Sequence, residues 1–491
     1  MTATMERIEH PAPASHVATA ALARAEARRM WRSSYYWIGL VLSMALFLVW
    51  SWTRMPTWAT FHENIGMASL VLAAALLLAA HLAAGRDHRA GSEESLRVTP
   101  ADPGRRSLAL LVTVPIGAVT GVVLYVAGLL LLLPTWPVGQ FSPWAALVVV
   151  VLPAIGAAIG AAVGRVLPGA AVGPLAVVAL IAVLFVLLFW GQGSYQAQGP
   201  LFPVSFVTWD LGMAYPFGWH LLYLLGVLAL TVAAVCRPAT PKTSAMVGVV
   251  AVLVAGLSSW REAAITPDVI DTTVSLRAVA PDKLDCRTRA GVRYCALPGY
   301  GRWIEYWQEA VRPVATLLPE TAERPSIHQI GNMSDGKPLT PGHPEVIIGE
   351  TWGRVGRWAE DSQERMIRDY VATSVGFLRG DDPDSWNGCD GAGQHRTVVA
   401  MWMLGQAAPG KDLSVPRVRY GQAETEAAEM LLAKPREEVE RYLSEHWAEV
   451  LDPSATGLAG LGVTIKPPPI PVRPQDPADS QSVDLDRGVC P

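Results

Sequence analysis

The chain has 491 residues, of which 51% are hydrophobic and only 17% are charged, so it is more apolar and less charged than an ordinary soluble protein. Its net charge of −4 is unevenly divided, because the residues before 261 sum to +5 and the later residues sum to −9. An acidic second half argues against nucleic acid or anionic lipid as the main partner of that half.

The N-terminal segment Val17 to Ser33, VATAALARAEARRMWRS, interleaves apolar residues with arginines. This pattern favours an amphipathic helix lying along the inner membrane face, with Met30 and Trp31 as its apolar side. A simple basic flank of the first membrane span is the alternative. About 34 residues precede the first apolar run, and that run is long enough to stay in the membrane, so we expect no cleaved signal peptide.

Seven apolar runs follow in the first 260 residues, and each is close to the roughly 17 to 25 residues that a helix needs to cross a bilayer. The runs are continuous rather than alternating, which predicts helices and argues against barrel strands. We therefore expect a polytopic α-helical membrane protein with about seven transmembrane helices. The runs are Tyr35 to Trp52, Ile65 to Gly85, Leu108 to Leu133, Trp144 to Val163, Ala171 to Trp190, Phe217 to Val235 and Ser244 to Trp260.

Charge predicts the orientation of these helices. Of the 14 Lys and Arg residues before position 261, thirteen fall on one side of the resulting topology and only Arg54 falls on the other. We expect the protein to lie in the plasma membrane. The positive-inside bias then assigns the basic side of the topology to the cytoplasm. Tryptophans from Trp50 to Trp260 cluster at the opposite interface, as aromatic anchors do. Seven crossings then place everything after Trp260 outside the cell.

The cytoplasmic loop between the second and third runs, from Arg86 to Leu111, carries the most specific local pattern, RDHRAGSEESLRVTPADPGRRSLALL. It predicts a short capped helix with an acidic first turn and an apolar side, ended by proline and followed by arginines at the headgroup level. These features are Ser92 (cap), Glu93 and Glu94 (first turn), Leu96 and Val98 (apolar side), Pro100 (end), Arg105 and Arg106. So short a helix is marginal alone and needs a cytoplasmic docking partner. A plain polar connection is the alternative.

Two of these elements together resemble the membrane subunits of exporter-type (type 2) ABC transporters. The first is the segment ALARAEARRMWRSSYYW leading into the first span. The second is the loop with Gly91, Ser92, Glu94, Leu96, Thr99, Pro100 and Arg105. The resemblance covers about residues 17 to 240 and implies that loop 86–106 contains a coupling helix that docks on an ATPase. The chain departs from that family, which usually has six spans, in its seventh run and its large C-terminal domain.

The resemblance also implies partners. The Walker A pattern G-x-x-x-x-G-K-[ST] does not occur in the sequence, so ATP and Mg are expected on a separate P-loop ATPase chain, and we expect no cofactor in this one. Export of this type uses two membrane halves, so we expect a second permease subunit, either another copy or a sister chain. The lipid bilayer itself is the remaining expected partner.

The outer loop from Gly191 to Pro216, GQGSYQAQGPLFPVSFVTWDLGMAYP, is too apolar for a plain solvated linker. In the family that the chain resembles, this region dips back into the membrane as an outer gate, which implies a gating role for Trp209 and Asp210. A solvated loop aspartate is the alternative for Asp210.

Four of the five cysteines lie after residue 261, and an even set in an oxidising compartment predicts disulfides. Cys286 and Cys295 bracket a segment with Ala290 and Gly291 at a predicted hairpin turn, so we pair them. This leaves Cys389 to pair with Cys490. Four reduced thiols are the alternative. The fifth cysteine, Cys236, is expected to be free.

Together these patterns divide the chain into four predicted parts. They are a cytoplasmic N-terminus (1–34), a transmembrane domain (35–260), an extracellular α+β domain (261–463) and a proline-rich extended tail (464–491). Strands are predicted over Thr273 to Ala280, the cysteine hairpin and Glu345 to Ile348. Helices are predicted over Arg302 to Leu318, Arg354 to Leu378, Thr397 to Gln406, Gln422 to Leu432 and Glu437 to Val450.

Neither H-E-x-x-H nor G-x-S-x-G occurs in the sequence, and the isolated pair Glu445 and His446 is typical of a helix surface, so we expect no enzyme in this chain. The C-terminal domain resembles ectodomains of uncharacterised actinobacterial permease-like proteins, which implies no activity. Two functions remain: the membrane subunit of an ATP-driven exporter, whose ectodomain gates, receives or hands on cargo, or a membrane anchor for an extracellular binding or assembly domain. We favour the exporter, because an anchor needs only one span.

Overall fold

The computed structural model describes residues 15–92, 103–190, 201–204, 216–279, 284–329, 343–349, 351–378, 388–453, 457–465 and 489–490. Within these ranges the chain forms a bundle of long apolar helices followed by a smaller region of helices and short strands. The predicted helical membrane protein with a C-terminal α+β region is confirmed at this level, because six of the described helices are long and apolar enough to cross a membrane.

Six of the seven predicted apolar runs form these long helices. The remaining run also forms an apolar helix, α8, and the number of crossings stays a prediction. The predicted N-terminal amphipathic segment is helical. The helices are α1 (Ser15–Arg32), α2 (Ser34–Ser51), α3 (Trp58–Ala84), α4 (Arg86–Arg89), α5 (Pro103–Leu110), α6 (Thr113–Leu131), α7 (Pro143–Val166), α8 (Val172–Trp190), α9 (Phe217–Cys236) and α10 (Pro241–Val279).

Helices α3 and α7 pack backbone to backbone at the centre of the bundle. Gly156, Gly160 and Gly164 follow one another at every fourth position of α7, and a Cβ atom on any of them would meet the α3 backbone. The facing α3 residues, Ala73, Leu77 and His81, have the same spacing. Small residues at this spacing let helices approach closely in lipid, where no hydrophobic force between helices draws them together.

Proline and glycine form a second close contact on another side of α7. Pro153 lies inside α7, where a helix loses one backbone hydrogen bond. Gly117 of α6 packs against the Pro153 carbonyl and the Ala154 backbone, with its virtual Cβ 2.8 Å from each. The kinked part of α7 is therefore covered by a neighbouring helix, which is where such a kink is tolerated in a membrane.

The loops of the bundle divide between two ends. At one end, Arg165 donates to Ser107 over 2.9 Å, and Arg89 donates to the Pro168 carbonyl over 3.2 Å. At the other end, the Trp58 amide donates to the Val138 carbonyl over 2.9 Å. The predicted basic loops thus lie together at one end, opposite the loops that contact the C-terminal region. Which end faces the cytoplasm is a prediction from charge.

The C-terminal region contains a four-stranded sheet in the order β1-β2-β3-β4. The first two strands form the predicted antiparallel hairpin, with Ala290 and Gly291 at positive φ (50° and 79°) as a type I′ turn requires. The pairs β2–β3 and β3–β4 are parallel, and β5–β6 is a separate pair. The strands are β1 (Asp285–Arg289), β2 (Val292–Ala296), β3 (Ser326–Gln329), β4 (Glu345–Ile348), β5 (Cys389–Asp390) and β6 (Val418–Arg419).

Five helices belong to the same region, and all five predicted helical segments are confirmed. They are α11 (Ile304–Ala315), α12 (Gly356–Ser374), α13 (His395–Ala407), α14 (Gln422–Leu432) and α15 (Arg436–Leu451). In α15 the residues Val439, Leu443 and Trp447 are buried, whereas Tyr442 and His446 are half-buried. The strand predicted over 273–280 is wrong, because α10 continues as a helix to Val279. Its run of β-branched residues is a weak strand signal that helical context overrides.

Both predicted disulfides are present. Cys286 and Cys295 are cross-strand partners in the hairpin, and Cys389 joins Cys490 across 101 residues of sequence. Cys236, at the last position of α9, is a free thiol. Within the predicted tail, the described residues 489–490 are fixed, because the Cys490 carbonyl accepts from Gln394 and Arg396 over 3.0 Å each. The rest of the tail lies outside the described residues.

Removal of the long-range disulfide tests its contribution to the C-terminal region. Replacing Cys389 and Cys490 together by Ser reopens a loop of 101 residues and should lower the free energy of unfolding of this region by about 4 kcal/mol in the chain-entropy model. Limited proteolysis over a temperature series measures the shift. Cys236→Ser, which breaks no disulfide, is the matched control, and a double variant as resistant as that control would contradict the prediction.

Candidate functional site

A chain of ion pairs, here called the arginine network, joins α1 to the loop after α3. Glu26 of α1 accepts from Arg29 over 2.9 Å and from Arg86 over 2.8 Å. Asp87 lies 3.8 Å from Arg86 and 3.6 Å from Arg106 of α5. The network thus connects three separate helices at the arginine-rich end of the bundle, directly beside the loop predicted to dock on an ATPase.

Burial explains why Glu26 is the centre of this network. It is 7% exposed, and a buried carboxylate needs cationic partners to offset its lost hydration. The hydrogen bond to Glu26 raises the pKa of the Arg86 guanidinium, so Arg86 stays charged. The α1 helix is therefore fastened to the loop through one buried carboxylate rather than merely resting on the membrane surface.

The predicted coupling residues are only partly described. Glu93, Glu94, Leu96, Thr99 and Pro100 lie outside the described residues, and so does any helix that Ser92 would cap. The Ser92 hydroxyl donates to the Asp87 carbonyl over 3.1 Å, which brings the start of the segment back to α4. Of the two predicted headgroup arginines, Arg106 instead reaches Asp87, and Arg105 is half-buried in α5.

At the opposite end, the C-terminal region is joined to the bundle by backbone hydrogen bonds, here called the junction. The Met55 amide donates to the Trp352 carbonyl over 2.7 Å, and the Arg354 amide donates to the Thr53 carbonyl over 2.9 Å. The loop after α6 contributes a third bond, from the Gly139 amide to the Gly299 carbonyl over 3.1 Å. The first two bonds form an isolated antiparallel β-bridge between Arg54 of the α2–α3 loop and Gly353 of the C-terminal region.

Side chains reinforce the junction from both directions. Met55 and Val138, from two bundle loops, belong to the same buried apolar cluster as Trp352 of the C-terminal region. The Arg54 guanidinium lies 5.3 Å from the Trp358 ring, within cation–π range. Arg354 makes the reciprocal contact, 4.9 Å from the Trp52 ring. Two loops of the bundle therefore contribute side chains to the apolar core of the C-terminal region.

A cavity of about 300 Å³ opens at the junction. Its wall combines a cation, Arg54, with the Glu63 carboxylate and the Asn64 amide of α3, and with the rings of Trp50 and Trp358. Asn64 is oriented by donating to the Ser51 hydroxyl over 3.1 Å. Polar groups of both signs among aromatic walls are typical of a site for a small amphipathic molecule. No local sequence pattern points to this cavity, because its residues come from three distant segments of the chain.

The predicted outer gate is described only in part. Trp209 and Asp210 lie outside the described residues, but Leu201–Val204 of the same loop is described. Phe202 and Val204 are 3% and 2% exposed and pack in a cluster with α7 and α9 residues. The loop therefore enters the bundle at this point.

Several polar side chains of the C-terminal region are engaged in structural bonds. Glu424 accepts from the amides of Gly393 and Gly421 over 2.7 Å each, and His395 accepts from the Leu458 amide over 2.8 Å. His446 lies 3.1 Å from the Tyr442 carbonyl and stacks on the Tyr442 ring. Among the described residues, no group of three or more His, Cys, Asp or Glu side chains is arranged to hold a metal.

Comparison with known proteins adds no relative. No protein-family profile matches the chain, and neither a curated protein nor a solved structure matches it significantly.

The pairing of Glu26 with Arg86 is tested by a double-mutant cycle. Glu26→Gln and Arg86→Gln should each destabilise the protein, and the double variant should show a coupling energy of about 1 kcal/mol, kept modest by the partial exposure of Arg86. Thermal melting in detergent measures it, with Arg28→Gln, an exposed arginine of the same helix, as the control. Strictly additive effects would show that the pair does not fasten α1 to the loop.

The junction is tested at Gly353, where a Cβ atom would collide with the Trp358 carbonyl. Gly353→Ala should weaken the junction by about 2 kcal/mol. The reporter is a thiol introduced as Met55→Cys, at a site only 7% exposed, in a protein that also carries Cys236→Ser. We expect this thiol to be modified several-fold faster when Gly353→Ala is present. Gly218→Ala, with nothing within 4 Å of its Cβ position, is the control. Equal rates in both variants would argue against a closed junction.

Proposed function

We propose that this chain is the transmembrane subunit of an ATP-driven ABC exporter, that a separate P-loop ATPase docks on loop 86–106, and that a second permease subunit completes the pathway. The observation that supports the proposal most is the arginine network, because it fastens the amphipathic α1 helix and α5 to the residues that flank the docking loop. A loop that only connects two spans needs no such fastening. In this proposal ATP and Mg belong to the partner ATPase.

The packing of α3 and α7 offers a path for movement across the membrane. Helix α3 has 27 residues and is about 40 Å long, so it spans the bilayer core. Its last residues lead directly into Arg86 of the network, and its first residue follows the junction loop. The three glycines of α7, Gly156, Gly160 and Gly164, form a stripe that packs directly against the α3 backbone. In this proposal the two helices therefore move as a unit. A displacement of the docking loop is then transmitted along α3 to the junction.

The C-terminal domain, extracellular by the charge argument, then gates, receives or hands on the cargo. Backbone pairing at the junction supports this role, since a domain on a flexible tether could not follow the helices. The junction cavity, with Arg54 and Glu63 in its wall, offers a place for cargo or for a bound regulator beside the moving loops.

The second candidate is a membrane-anchored extracellular binding or assembly protein without transport activity. The junction cavity favours it as much as it favours an exporter, because a cavity with charged and aromatic walls serves binding alone. The two proposals differ at the arginine-rich end: only the exporter needs a partner there.

Copurification decides between them. The protein is purified from its native membrane in mild detergent, and mass spectrometry asks whether a P-loop ATPase accompanies it in stoichiometric amount. The exporter proposal expects an ATPase, and expects Glu94→Ala with Pro100→Ala to reduce its yield at least about tenfold, a loss of about 1.4 kcal/mol in binding free energy.

The matched control is Glu445→Ala, which removes an exposed carboxylate at the other end of the molecule and should leave copurification unchanged. Absence of any P-loop ATPase in several detergents, or its retention by the Glu94 and Pro100 variant, would reject docking at this loop. The anchor function would then be the better account of the chain.

A further inference from the structure

A buried histidine–glutamate pair joins α9 and α10 at the junction end of the bundle. The Nδ1 atom of His220 lies 3.0 Å and 3.1 Å from the two carboxylate oxygens of Glu262, and both side chains are 1% exposed. Leu221 and Leu224, next to His220 on α9, belong to an apolar cluster with Val148 of α7. Ionisable groups in such a place are costly and are typical of functional sites.

The second ring nitrogen of His220 fixes how many protons the pair holds. Nε2 lies 3.2 Å from the Pro203 carbonyl oxygen, which can only accept, so Nε2 carries a hydrogen when this bond forms. The contact between Nδ1 and Glu262 then needs a proton of its own, on His220 as an imidazolium or on Glu262 as a carboxylic acid. With both contacts made, His220 and Glu262 share one proton and have no net charge.

The Pro203 carbonyl belongs to the inserted segment Leu201–Val204, which α9 holds by two side chains. In addition to the His220 bond, the Tyr223 hydroxyl donates to the Leu201 carbonyl over 3.0 Å. Phe202 and Val204 point into the bundle, and Val204 contacts Gly66 of α3. The position of this segment therefore depends on His220.

Two other titratable or charged groups face the pair from the described residues packed around it. Tyr223 of α9 interacts electrostatically with Glu262. Arg261 of α10 stacks over the rings of Trp219 and Trp260, at 5.9 Å and 5.8 Å. The α7 surface beside the pair and the side chains of the inserted segment are apolar.

We propose that His220 and Glu262 form a proton-binding site that latches the inserted segment into the bundle. When the shared proton leaves for solvent, His220 retains one N–H, which cannot serve both acceptors. The charge-assisted bond to the Glu262 carboxylate is the stronger, so the hydrogen stays on Nδ1 and the bare Nε2 faces the Pro203 oxygen. Lone pair then opposes lone pair, and the segment is released. This inference goes beyond the proposed function and needs no ATPase.

The experiment uses the full-length protein in detergent with Cys236→Ser, so that an introduced cysteine is the free thiol. Phe202→Cys reports on the inserted segment, and its rate of modification by a water-soluble maleimide is divided by that of Leu201→Cys, an exposed neighbour, at the same pH. The division removes the intrinsic pH dependence of the thiol. Ser69→Cys, at a fully buried position of α3, controls for general loosening of the bundle.

With wild-type His220 and Glu262, the rate ratio should rise about tenfold once the pH is raised far enough to remove the shared proton, while Ser69→Cys stays protected. Glu262→Gln should stay protected throughout, because the Gln amide donates to Nδ1 and leaves Nε2–H on Pro203 without any titration. His220→Asn should react fast at every pH, since its short amide replaces Nδ1 but cannot reach Pro203.

A rate ratio that does not change with pH in the protein with both residues would overturn the latch. Release of the segment at high pH in Glu262→Gln would equally overturn it, because that variant has no shared proton to lose. Should His220→Asn not fold, the comparison of wild type with Glu262→Gln still decides. None of these outcomes depends on copurification of an ATPase, so failure here and failure of the exporter proposal are distinguishable.

Discussion

The close approach of α3 and α7 is the contact on which the rest of the bundle depends. In a membrane, moving an apolar side chain from lipid into a helix interface changes its free energy little. Helices in lipid therefore associate through close packing and hydrogen bonds. Gly156, Gly160 and Gly164 supply packing in its most compact form, with helix backbone against helix backbone. Helix α7 also packs against α6 and α9, so the two central helices fix the positions of most of the others.

The C-terminal region packs directly against the loops of this bundle. Its buried cluster takes in Met55 and Val138, and its backbone pairs with the loop that leads into α3. A domain whose core is completed by two membrane loops loses stability when those loops move. The disulfide between Cys389 and Cys490 acts elsewhere, closing the chain end onto β5, so it supports the domain without restraining the junction.

The sequence predicts the parts of this fold that follow from local patterns. Apolar length gives the spans, turn chemistry at Ala290 and Gly291 gives the hairpin, and helical periodicity gives α11 to α15. The glycine stripe was present as three glycines four residues apart, yet its partner helix could not be read from one sequence. Strand β3, SIHQ, was missed because four residues carry too weak a pattern, and 273–280 was assigned wrongly because β-branched residues also occur in helices.

The candidate sites were harder to predict, because each combines residues that are far apart in the chain. Glu26 was visible as an acidic residue among arginines, but its partner Arg86 lies 60 residues away. His220 gave no signal of a role until Glu262, 42 residues later, was placed beside it. Charge counts predict on which side of the membrane such residues lie, because the bias adds up over many residues. Pairing is a property of two particular positions, and only the packing of the helices determines it.

Two pairs of helices in this packing differ in how much of their surface is buried. The α3–α7 pair has its backbones in contact and more than half of each span buried, whereas α10 has 22% of its span buried and α9 has 33%. In the proposed exporter, the α3–α7 pair connects the arginine network to the junction. Helix α9 holds the inserted segment through His220 and Tyr223, so in the proposed latch the segment moves while α3 and α7 keep their contact.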